Sequence, residues 1–213
     1  MERIFKNKKS WILGLIAITI CLTAVKLIAS LIELGTNENG VYYFIALVDF
    51  ALVVTLAIFA ILAVYRENKF WSKILFITYF SYYLFSAIFG FSDYFMYFSV
   101  ANSAFVLWGL GIILDFFAVI AIGVLYILRL KNNEKLKEYE NVLVYVRFGI
   151  IAFNLIMTIV LVAQSYVSWS LILQPFIQIV TTLVYVIARD FKFEENTQIE
   201  ENTQTEEIFE IEE

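Results

Sequence analysis

Histidine is absent from the 213 residues, cysteine and proline occur once each, and only 16% of the residues are charged. Each shortage removes a class of chemistry. Without imidazole there is no Ser–His–Asp relay and no histidine-ligated zinc site. Cys21 has no second cysteine to pair with, so an intrachain disulfide is excluded. A formal net charge of −5 and a pI near 4.9 leave no electrostatic footprint for nucleic acid. The eight glycines form neither a Walker loop nor a dinucleotide fingerprint. No metal ligand set, cofactor motif or catalytic residue is recognisable, and an enzyme is not expected.

What remains is apolar. The chain is 62% hydrophobic and 18% aromatic with a mean hydropathy of +0.81, against roughly 45–50% apolar and about 25% charged in soluble domains. Crossing about 30 Å of hydrocarbon takes roughly 20 apolar residues per helix. Six stretches meet that length: Trp11–Leu34, Val41–Val64, Ile74–Phe91, Ala104–Leu128, Tyr145–Gln164 and Ser170–Ala188. Barrel strands would instead show short alternating segments between turns. The expected fold is all-α: a polytopic membrane protein, a bundle of six transmembrane helices over 1–188, followed by a tail over 189–213.

The basic residues orient this bundle. Arg3, Lys6, Lys8 and Lys9 precede helix one; Arg66, Lys69 and Lys73 follow helix two. Arg129, Lys131, Lys135 and Lys137 follow helix four, Arg147 enters helix five, and Arg189 and Lys192 follow helix six. The other three loops carry no Lys or Arg, so fourteen of fifteen basic residues fall on one side. By the positive-inside rule both termini are cytoplasmic, as expected of a multi-pass plasma-membrane protein surrounded by lipid. Helix one is expected to be retained rather than cleaved, because its run is long for a signal peptide and no A-x-A site follows. Trp11, Trp71, Trp108 and Trp169, with Tyr42, Tyr43, Tyr94 and Tyr97, lie near helix ends and read as interfacial anchors. Cys21 lies mid-span without basic or metal-binding neighbours and reads as an inert core thiol.

Composition changes abruptly at Arg189. Ten acidic and two basic residues give 189–213 a charge of −8, leaving the membrane body at +3. Such a segment cannot bury enough apolar surface to fold alone. It is either a solvated cytoplasmic end or a docking peptide for a protein partner using Ile208, Phe209 and Ile211. Helices two, four and six share a loose pattern, with Asp49-Phe50, Asp115-Phe116 and Pro175-Phe176 followed by a terminal Tyr and Arg. It reflects either repeated hairpins or the shared demands of one interface.

Ionisable groups inside spans cost several kcal/mol unless paired or hydrated, so each default reading is functional. Three stand out: Lys26, Asp49 and Asp115. Lys26 and Asp49 each lie roughly 12 Å below the same boundary, and Asp115 roughly 15 Å. A Lys26–Asp49 contact across the first hairpin is therefore expected, either as structural neutralisation or as part of a binding site. Thr19, Thr23, Lys26, Ser30 and Glu33 share one helix face, as do Asn154, Thr158 and Ser165, and Gln174, Gln178, Thr181 or Thr182, and Tyr185. These faces should point inward, serving either as interhelical hydrogen-bonding groups or as a ligand site. Most of the strongly polar members fall in the outer half, and the inner half is mainly aliphatic. This suggests an outward-facing polar cavity lined by Lys26, Asp49, Asp115, Asn154, Gln174 and Gln178 for a small polar solute. Pro175 falls in the first turn of helix six, where a missing donor costs little. Close helix contacts are expected at Ser86 and Gly90, and at Gly109 and Gly111.

In size, helix count and outward polar cavity the chain resembles the substrate-binding subunits of energy-coupling-factor vitamin transporters. Helix one lacks the Ala-x-x-x-Ala motif that those subunits often carry for their partner, so the resemblance is one of architecture. It implies solute binding or transport. The competing expectation is a non-transport interaction, immunity or sensory subunit acting through the acidic tail. A channel ranks third, since a pore would need a ring of polar groups.

Overall fold

The computed structural model describes residues 8–34, 40–66, 69–96, 103–129 and 136–189. The acidic segment from 190 onward, Tyr97, and the side chains of Glu33, Tyr42, Tyr43 and Tyr94 lie outside the described residues. Six helices follow in order: α1 (Lys8–Leu34), α2 (Gly40–Arg66), α3 (Lys69–Met96), α4 (Ser103–Arg129), α5 (Leu136–Ala163) and α6 (Leu173–Arg189). A 3₁₀ turn, Trp169–Ile172, leads into α6. All six are long and apolar enough to cross a membrane, and no strand occurs among the described residues. The protein is a multi-pass, all-α membrane protein.

Consecutive helices pack against one another from α1 to α6, and α6 also touches α1, α2 and α3. Short links between long packed neighbours make successive helices antiparallel. The end of the bundle where α1 starts and α6 finishes is called the terminal end below. Burial on α1 shows how the chain chooses its faces. Ile12, Ile16, Thr19 and Thr23 are buried, and Lys26 continues the same stripe. The opposite stripe, Ile18, Val25, Ile28 and Ile32, is exposed and suits contact with lipid tails. Cys21 lies on that second stripe and is exposed, so the expectation of a core thiol is overturned.

The largest departure from expectation is in α5, which starts at Leu136 rather than near Tyr145. Charged residues at its start do not break a helix: Lys137 and Glu138 are good helix formers, and Glu138 in the first turn complements the helix dipole. The extension carries Arg147 away from the helix entrance, to about 16 Å from the start of α5. Arg147 is 0% exposed. The one-sided set of basic residues therefore loses it and stands at thirteen of fifteen.

Two further expectations change. Trp108 is buried beside Phe105, their ring centroids 5.7 Å apart, rather than anchoring an interface. Ser165 is not part of the α5 polar stripe. It follows the helix end with φ 58°, while Ser165 N–H donates to the Val162 carbonyl and Tyr166 N–H to the Leu161 carbonyl. This is a Schellman closure with serine at the left-handed position usually held by glycine.

Close approach is confined to particular glycines. An added Cβ at Gly111 would fall 1.8 Å from Asn154 Oδ1, and one at Gly123 would fall 2.3 Å from Phe80 Cε2. At Gly14 and Gly149 nothing lies within 4 Å. Gly123→Ala is expected to destabilise by about 1–3 kcal/mol through overpacking, with Phe80→Leu in the same chain restoring part of the loss. Gly149→Ala should be neutral or slightly stabilising through helix propensity. Thermal unfolding of the three variants in detergent, followed by circular dichroism, checks the order.

Candidate functional site

Four helices converge on Lys26. Its Nζ donates to Asp49 Oδ2 at 2.8 Å and to Gln174 Oε1 at 2.5 Å, joining α1 to α2 and α6. The expected contact across the first hairpin is present. The Gln174 amide is oriented from its other end: Nε2 donates to Ser86 Oγ at 2.8 Å and to Tyr82 Oη at 3.4 Å, both on α3. With both donors engaged on α3, Oε1 is turned toward the ammonium. The Lys26 and Asp49 side chains retain 17% and 7% exposure.

Asp115 does not join this cluster. Its Oδ1 accepts from Arg147 Nε at 2.8 Å, pairing α4 with α5. Arg147 Nη1 donates to Tyr79 Oη at 2.6 Å and Thr182 Oγ1 at 2.9 Å. Its guanidinium lies 3.7 Å from the Tyr83 ring centroid, a cation–π contact. The Tyr83 hydroxyl donates to the Gln178 backbone carbonyl at 2.9 Å and shares a hydrogen bond with Thr181. Gln178 thus enters this second cluster through its main chain. A permanently charged side chain with no exposure is held here by one carboxylate, two hydroxyls and an aromatic face.

A third cluster lies toward the terminal end. Glu140, also 0% exposed, accepts from the Tyr185 hydroxyl at 2.9 Å and faces Arg129 Nε at 3.4 Å. Tyr185 stacks on Tyr79 with centroids 4.3 Å apart, so the second and third clusters share an aromatic wall. The expectation of an aliphatic inner half is therefore corrected: that region is closed by ion pairs and tyrosines. The α5 segment that supplies Glu140 and Arg147 had read as an entrance, although both continue the Asn154–Thr158–Leu161 stripe backward at the same spacing.

Asn154 stands apart from all three clusters. It packs against Gly111, and its Oδ1 has no hydrogen-bond partner among the described residues. Several polar groups that had read as interhelical are satisfied within their own helices. Thr19, Thr23 and Thr158 hydroxyls each donate to the carbonyl four residues earlier at 2.8 Å. Of the six candidate ligand residues, Lys26, Asp49 and Gln174 are brought together, while Asp115, Gln178 and Asn154 are not part of that group.

No family model matches the sequence, and neither the curated proteins nor the solved structures contain a match.

Removing one member of a buried ion pair strands the other, at a cost of about 3–5 kcal/mol, whereas replacing both by apolar groups is often nearly neutral. Arg147→Met and Asp115→Leu are each expected to lower the melting temperature in detergent strongly. The double variant should recover most of the loss. A double variant as unstable as the sum of the singles would mean the pair contributes little coupling.

Proposed function

We propose that the protein is a non-enzymatic small-solute binding or transport component of the plasma membrane, with both termini cytoplasmic and its solute taken at Lys26, Asp49 and Gln174. One observation carries this reading. Among the three charge clusters of the described residues, that at Lys26 joins groups from α1, α2, α3 and α6, and both of its charged members keep some exposure. In each of the other two, one member, Arg147 or Glu140, is fully enclosed. Lys26 lies about 12 Å from the end of α1 that faces away from the terminal end, and the Arg147 and Glu140 clusters lie nearer the terminal end, an order that suits capture of a solute from the far side. The thirteen basic residues at or beyond helix ends on the terminal side support a cytoplasmic assignment for that side. Asp115, Asn154 and Gln178 are proposed to act behind the site, holding the helices that close it.

Proteoliposomes containing the full chain, incubated with a soluble metabolite extract and then washed, should retain solutes that protein-free liposomes do not. Lys26→Met and Asp49→Asn should each remove enrichment of the solutes that the intact chain retains, while truncation before Glu194 should keep it. Truncation-sensitive activity with indifference to Lys26 and Asp49 would instead favour a subunit that acts through its acidic tail. No enrichment by the intact chain rejects solute capture.

A further inference from the structure

The charge arrangement around Lys26 narrows the kind of solute. An ammonium offers three N–H donors, and Lys26 uses one on Asp49 and one on Gln174. Asp49 has two carboxylate oxygens, of which Oδ2 accepts from Lys26. Among the described residues neither the third Lys26 donor nor Asp49 Oδ1 has a further partner, and neither residue is fully enclosed. The site therefore presents one spare cationic donor and one spare anionic acceptor side by side. Gln174 adds no further donor, because both amide hydrogens are engaged on α3, and its carbonyl already accepts from Lys26. It is a positioning residue that holds the ammonium in place.

Net charge then decides among ligands. Lys26 and Asp49 sum to zero, so a solute of net charge +1 or −1 would leave an uncompensated charge inside the bundle. In a low-dielectric setting that costs several kcal/mol. A neutral polyol avoids the penalty but gains only ordinary hydrogen bonds. A solute bearing both charges avoids it and makes two charge-assisted bonds, roughly twice as strong as neutral ones. We infer that the site takes a small zwitterion, with the solute's carboxylate accepting from Lys26 and its ammonium donating to Asp49. This rests on the proposed solute-binding reading and assigns its substrate class.

The principal test uses the intact chain in nanodiscs. Ligand-induced thermal stabilisation is measured with a pool of L-amino acids bearing uncharged side chains. Their methyl esters (net cations), their N-acetyl derivatives (net anions) and glucose serve as comparators. The expected result is stabilisation by the amino-acid pool, with at least tenfold higher concentrations of ester or N-acetyl derivative needed for the same shift. Asp49→Asn should in addition move the preference toward the N-acetyl derivatives, because Lys26 is then left unbalanced. Stabilisation by ester, N-acetyl derivative or glucose without the amino acids overturns the zwitterion assignment while leaving solute binding intact. A response to added phosphatidylethanolamine but not to amino acids would place a zwitterionic lipid headgroup there and overturn the assignment of a small soluble zwitterion. No response to any of these solutes or to the lipid overturns the zwitterion and counts against solute binding together.

Discussion

Charge inside hydrocarbon must be neutralised within a few ångströms, and this requirement governs how the helices are joined. Among the described residues three acid–base pairs meet it at three levels. Lys26–Asp49 ties α1 to α2, while Asp115–Arg147 and Glu140–Arg129 tie α4 to α5. α6 completes each pair with one uncharged group: Gln174 for Lys26, Thr182 for Arg147 and Tyr185 for Glu140. α3 stands behind them with Ser86 and Tyr82 on Gln174, and with Tyr79 and Tyr83 around Arg147. Lipid-facing apolar residues contribute little to specificity here, since tails and side chains are equally apolar. Register is set by where the charges must meet.

The three levels differ in closure. One member of each deeper pair, Arg147 or Glu140, has no exposure, while Asp115 and Arg129 keep 9% and 17% at the side chain. At the first level both Lys26 and Asp49 keep some, and both leave hydrogen-bonding capacity unused. A cluster that is sealed contributes to holding helices together. One that is partly open and incompletely bonded can exchange an internal contact for an external one at low cost, which is the physical basis of the binding role assigned to it.

Much of this was legible in the sequence because hydrophobic length and helical spacing are local properties. Six spans follow from runs of about twenty apolar residues, and the Lys26–Asp49 contact follows from equal distances to one turn. The inward face of α1 also follows from spacing, since Thr19, Thr23 and Lys26 repeat at intervals of four and three. Arg147 is hidden in the sequence for a definite reason. Charged residues between 135 and 147 resemble a loop and its approach, which sets the apparent start of the helix nine residues past Leu136. The stripe of Glu140, Val144, Arg147, Ile151, Asn154, Thr158 and Leu161 was nevertheless present as one buried face. What no spacing rule supplies is partner choice. Whether Asp115 meets Lys26 or Arg147 depends on which helices are neighbours, and α4 lies against α3 and α5 rather than α1.

The composition of α6 has a mechanical corollary. From Leu173 to Ala188 it contains no acidic or basic residue, yet it contacts four of the other five helices and touches all three ion pairs. The charges it serves are mounted on α1, α2, α4 and α5. Displacement of α6 along its axis would rearrange hydroxyl and amide contacts without carrying a formal charge of these sixteen residues through the electric field of the bilayer. A moving elementary charge is worth about 2.3 kcal/mol per 100 mV, and that stretch of α6 moves none. Within those sixteen residues the membrane voltage has no formal charge to act on.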